Sequence, residues 1–150
     1  MTTDRAEKLS RIDELGDEIG WRTSERFLHR LRPYNLNLAQ YLVMTRLGRT
    51  GIAESIKSLC DQLAAPASSM THTIDHLEAE GFVVREAHPT DRRVNVVRLT
   101  VKGADTATAL QRERKGHVIE VFGHLSDDDL DDFARILQTT LTQIDDPATR

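Results

Sequence analysis

Residues 54–100 read ESIKSLCDQLAAPASSMTHTIDHLEAEGFVVREAHPTDRRVNVVRLT, and the change of period within them decides the fold. Over 54–63, Ile56, Leu59 and Leu63 recur at three- and four-residue steps, which predicts a short helix. Ala64-Ala65-Pro66-Ala67 breaks it, and Pro66 suits the first turn of a new helix. That helix is predicted over 66–80, with Met70, Ile74 and Leu77 as its buried stripe and Gly81 as the left-handed residue that closes it. The period then falls to that of strands. Phe82-Val83-Val84-Arg85 and Val94-Asn95-Val96-Val97-Arg98-Leu99 are rich in β-branched residues. Between them, His88-Pro89-Thr90-Asp91-Arg92-Arg93 is a turn with two adjacent arginines at its tip.

Outward from this stretch the chain is helical. Leu9, Ile12, Leu15 and Ile19 predict a long helix over 5–32, which Pro33 stops. Asn35 and Asn37 are caps for a second helix over 38–48, with Leu38, Tyr41, Leu42, Met44 and Leu47 inward and Gly48 and Gly51 at its end. Thr100 caps a helix over 101–122, and Ser126, followed by Asp127, Asp128 and Asp129, opens the last one. The acidic run therefore has a helix-dipole role and is assigned no partner. The expected organisation is one domain over 1–150: a compact lobe at 38–100, flanked by helices within 5–34 and 101–145. Those flanking helices carry long apolar stripes (Leu130, Phe133, Ile136, Leu137, Leu141 and Ile144 in the last) that so small a centre cannot cover. Burial against a second copy, as a two-fold homodimer, is the expectation.

Net charge is -4, a poor sign for a polyanion-binding protein until its distribution is read. Beyond Leu125 the balance is -5, so the remainder carries +1, and residues 82–103 alone carry +3. A phosphate-binding face needs local positive charge only. A single cysteine, Cys60, excludes an intrachain disulfide and permits a reducing compartment. The polar opening Met1–Glu7 reads as no secretory signal, and no apolar run approaches membrane-spanning length, so a cytoplasmic location is expected.

A helix fits the B-DNA major groove and reads bases through its N-terminal side chains. Here those positions hold Ala67, Ser68, Ser69, Thr71 and His72, off the buried stripe, and His76 is placed to add a phosphate contact. Taken singly, the hydroxyl residues are ordinary helix-start chemistry, and an arginine pair at a turn is as often merely solvated. Their conjunction is the specific signal: the basic tip can enter the adjacent minor groove while the helix occupies the major one.

Leu59–Thr71, then Ile74–Arg85, resemble the recognition-helix pattern of the MarR (multiple antibiotic resistance regulator) family, and Asp91–Gly103 resembles its wing signature. Leu38-Ala39-Gln40-Tyr41 is similar to the start of its second helix, and the helix order agrees over about residues 5–145. The resemblance implies a mainly α fold with a small β-hairpin wing, a winged helix-turn-helix dimerised through its N- and C-terminal helices. It implies a regulator, most often a repressor on a pseudo-palindromic operator, released by a small phenolic or other anionic, lipophilic effector. Residues 66–80 become the recognition helix, with Ala67, Ser68, Ser69, Thr71 and His72 facing the groove. Arg92 and Arg93 lie at the wing tip, either one being the minor-groove residue. Asp91 is implied to brace the wing by pairing with a nearby arginine, and Arg85 is assigned with it. His72 and His76 depart from positions that are often basic in relatives.

Trp21, His29, Tyr41 and Met44 are plausible walls of an effector cleft, each equally readable as core packing. A regulator without effector is the alternative, as is thiol sensing through Cys60, although its neighbour Asp61 disfavours a reactive thiolate. His72/His76 and His117/His124 share helix faces, but neither pair has further ligands beside it, so no metal and no cofactor is assigned. Nucleophile-elbow, P-loop and HExxH motifs are all missing, which argues against an enzyme. A winged-helix module that binds protein is the remaining alternative, opposed by the arginine tip.

Overall fold

A computed structural model describes residues 3–88, 90, 91 and 93–144. Pro89 and Arg92, both assigned to the hairpin tip, lie outside the described residues, as does everything beyond 144. In chain order the elements are α1 (Thr3–Leu31), a 3-10 turn (Arg32–Tyr34), α2 (Leu38–Thr50), β1 (Glu54–Ser55), α3 (Ile56–Leu63), α4 (Ala67–Ala79), β2 (Val83–Ala87), β3 (Asn95–Leu99), α5 (Val101–Phe122) and α6 (Asp127–Ile144). The chain divides into two units, Met1–Arg114 and Lys115–Arg150.

The first unit holds the core: Leu31, Tyr41, Val43, Met44, Leu47, Leu59, Met70, Ile74, Leu77, Phe82, Val97 and Leu110 among others. The stripe expected of α4 is buried as read. In α2 the phase differs slightly, since Val43 is buried while Leu38 and Leu42 are exposed. Asn37 begins α2 with a capping box, accepting from the Gln40 amide while the Gln40 side chain accepts from the Asn37 amide. Gly51, at φ 66°, closes it.

The expected hairpin is a three-stranded antiparallel sheet in the order β1-β3-β2. Val83 pairs with Leu99, Arg85 with Val97, and Glu54 with Val97 from the other side. The third strand is only two residues long, too short for any periodicity, and the sequence reading placed it inside a helix. What fixes it is Glu54, 6% exposed, whose carboxylate accepts from Arg46 Nε (2.9 Å), Ser58 Oγ (3.1 Å) and Gln62 Nε2 (2.8 Å). A buried carboxylate must be paired in this way to be tolerated, and these bonds join α2, β1 and α3.

Two glycine-linked features join α4 to the strands. Gly81 has φ 74° and supplies the turn after α4. Thr100 Oγ1 accepts from the Gly103 amide (3.0 Å), capping α5, and donates to the Gly81 carbonyl (2.7 Å). At Gly103 a Cβ would lie 1.9 Å from the Phe82 carbonyl oxygen, so the close approach of α5 to the sheet needs glycine.

In the second unit, Ser126 Oγ accepts from the Asp129 amide (3.2 Å), the expected N-cap of α6. Phe122 and Phe133 stack with ring centroids 5.2 Å apart. None of the described residues of α6 is buried.

Candidate nucleic-acid interface

Helix α4 separates its residues cleanly by face. Met70, Ile74 and Leu77 are at most 3% exposed, whereas Ala67, Ser68, Ser69, Thr71, His72 and Asp75 are exposed. The helix follows α3 through Ala64, held at φ 47°, and Pro66. The side chains at 67–69 are small, so the N-terminal turn of α4 is narrow. Thr71 Oγ1 donates to the Ala67 carbonyl (2.8 Å), so at rest its hydroxyl does what any mid-helix threonine does. Its lone pairs remain available to a donor. His76 is half-buried on the flank of the helix.

The wing leaves β2 through His88, whose amide donates to the Val94 carbonyl (2.8 Å). Asp91 does brace the turn, but among the described residues its partner is not a guanidinium. Its carboxylate accepts from the Arg93 main-chain amide (3.0 Å), and its carbonyl accepts from Val94 N (3.0 Å). This is a short-range Asx closure, which an Asp two residues before a turn exit makes readily. Arg85 is not at the tip either. It sits on β2 with its guanidinium between Asp75 (2.5 Å) and Glu78 of α4, and its amide donates to Glu78 Oε1 (3.0 Å). Arg85 therefore fixes the sheet to α4.

These pairings revise the charge count. Of the basic residues in 82–103, Arg85 is neutralised by two carboxylates, and Arg98 bonds Glu86 on the neighbouring strand (Nε to Oε2, 3.2 Å). Lys102 donates to the Glu80 carbonyl (2.6 Å) and lies 4.4 Å from the Phe82 ring centroid. The Arg98 guanidinium accordingly holds the Glu86 carboxyl below the usual range. Arg93 is exposed and remains the cation of the described tip. Sequence reasoning missed the roles of Asp75 and Glu78, which only their contacts with Arg85 reveal.

The four residues assigned to an effector wall are not brought together. Tyr41 and Met44 are core residues, 6% and 0% exposed, and the Tyr41 ring meets Phe27 edge-on at 5.2 Å. Burial pushes the Tyr41 phenol up, against the opposing pull of Arg114. Trp21 and His29 instead line an open groove along α1 with Ser24, Leu28 and Arg32. Cys60 is partly buried against the core.

Helix α4 with its exposed polar face, followed directly by a β-hairpin wing tied back to it, defines a winged helix-turn-helix protein. Residues 36–94 match the model of the MarR family. The chain is 30% identical over 112 residues to the uncharacterised HTH-type transcriptional regulator ML2140 of Mycobacterium leprae, covering 74% of this chain and 77% of that protein. It belongs to the MarR family of transcriptional regulators; its relatives are regulators and not enzymes. Its fold superposes on a MarR family protein from Bacillus stearothermophilus with a TM-score of 0.82 at 19% identity, covering 97% of this chain and 100% of that one. It also superposes on a mutant MarR from Escherichia coli complexed with operator DNA, with a TM-score of 0.69 at 21% identity, covering 89% and 96%. Among the described residues, no helix is long and apolar enough to cross a membrane.

Proposed function

We propose that this protein is a homodimeric repressor that occupies a pseudo-palindromic operator, with each subunit placing α4 in a major groove and its wing at the adjacent minor groove. The observation that carries this reading is the division of α4 into a buried stripe and an exposed polar face, with Arg93 at the tip of the attached wing. Ala67, Ser68, Ser69, Thr71 and His72 are the groove-facing set, His76 lies at its edge, and Arg92 and Arg93 are the wing cations.

Two copies are favoured by the exposed apolar residues of the long helices. Ile12 is 66% exposed on α1, and Ile136, Leu141 and Ile144 are 52%, 54% and 61% exposed on α6. Leaving such stripes in water is costly, and a second copy removes them from it. Operator release by a small anionic, lipophilic effector completes the reading. Binding-site selection from a random duplex pool tests it: a palindrome with half-sites about one helical turn apart is expected, and an enriched pool without dyad symmetry would count against the dimer.

A further inference from the structure

A cleft between the α1–α2 corner and the flank of α4 adjoins the proposed groove-facing set through His72 and His76 and adds residues of α1 and α2 to it. It measures about 490 Å³ and is lined by Arg32, Asn35, Gln40, His72, Thr73 and His76, among others. No carboxylate lines it. Another cleft of this unit, between α3 and the wing, is lined by Glu54 and Asp91 together with Arg46 and His88. In the first, His76 Nδ1 is buried with no hydrogen-bond partner among the described residues. Arg32 is exposed and enters no ion pair among them. Gln40 has its side-chain oxygen occupied by the Asn37 amide (2.8 Å), which leaves its NH2 group as the remaining polar end.

A guanidinium and a carboxamide NH2, gathered beside the imidazoles of His72 and His76 with no carboxylate in the lining, suit a tetrahedral oxyanion. Location narrows the source. His72 and His76 belong to the recognition helix, and a duplex whose major groove received Thr71 and His72 would run one phosphate strand along the edge of that groove. We propose that this cleft seats one backbone phosphate of the bound duplex, with Arg32 as its ion-pairing residue and His76 as a hydrogen-bonding partner. Such a contact positions the duplex and carries no sequence information. The inference rests on the DNA-binding reading, and a free phosphate is the other source of the same chemistry.

The test measures affinity of the full-length protein for a labelled random-sequence duplex across a range of salt. Arg32→Gln should lower the slope of log K against log salt by about one and weaken binding about eightfold at ~0.1 M salt, the effect of one released counterion. Arg32→Lys should restore the slope, and an unchanged melting temperature excludes misfolding. An unaltered slope in both Arg32→Gln and His76→Ala overturns the proposal. Inorganic phosphate titrated into the DNA-free protein, read by imidazole NMR of His76, separates the sources. If phosphate moves that signal while Arg32→Gln leaves the duplex slope alone, the seat serves a free anion and the proposal fails. Wild-type protein that binds no duplex at all refutes the DNA-binding reading itself, before any variant is compared.

Discussion

Replacing Gly103 of α5 with alanine should destabilise the lobe, because the added methyl group meets the main chain at Phe82. The new Cβ would sit 1.9 Å from the Phe82 carbonyl oxygen and 2.9 Å from its carbon, both main-chain atoms that cannot rotate away. Relief requires the chain at Phe82 to retreat by more than about 1 Å from α5, given ordinary contact distances. That carbonyl accepts from Thr100 N (3.0 Å) and Thr100 Oγ1 (3.2 Å), so the retreat strains both bonds. Each is worth about 0.5–1.5 kcal/mol, and overpacking adds about 1–3 kcal/mol. The sum is a loss of about 2–6 kcal/mol, or about 4–24 °C in Tm for a chain of this size. Urea denaturation followed by circular dichroism, at one protein concentration, measures it as a lower midpoint at unchanged slope. A Gly103→Ala protein within about 0.5 kcal/mol of the parent would refute the tight α5–sheet junction.

Other substitutions probe other parts. Tyr41→Phe should remove an alkaline limb of the stability profile: burial raises the phenol above its ordinary 10.0, so its contribution is full below about pH 10 and is lost as pH climbs through the raised value. Denaturation midpoints across that range, with phenolate absorbance as the titration probe, check the sign. Ile12→Glu on α1 and Leu137→Glu on α6 should each lower the mass seen by light scattering from two chains toward one at micromolar concentration; two intact dimers would remove those helices from the interface. Thr71→Ala and His72→Ala should alter base preference by about 1–3 kcal/mol at one operator position, measured by competition between duplexes that differ there.

The recognition helix was legible because its stripe repeats over three turns and is bounded by Pro66 and Gly81, the residues a helix start and a left-handed stop require. The caps at Asn37, Thr100 and Ser126 were legible for the same reason, as local chemistry. β1 was not, because two residues hold no period and its cause is the set of donors that meet at Glu54. The wing was misjudged in one respect. Arg85 and Asp91 share a hairpin in the sequence, yet Arg85 turns to Asp75 and Glu78 on α4, while Asp91 closes its own turn. The charge of +3 over residues 82–103 counted Arg85 and Arg98, although both are held by carboxylates. Tyr41 and Met44 look like pocket residues in a sequence and are core in the fold, since an apolar side chain gives no sign of which it lines.

The central claim is that α4 and the arginine wing meet one duplex together. Fluorescence-anisotropy titration of a palindromic duplex, repeated over rising salt for the parent and Arg93→Ala, tests it most directly. Tight binding that weakens steeply with salt is expected, with a slope shallower by about one in the variant. Affinity that is indifferent to salt, or a slope identical in the two proteins, would contradict it.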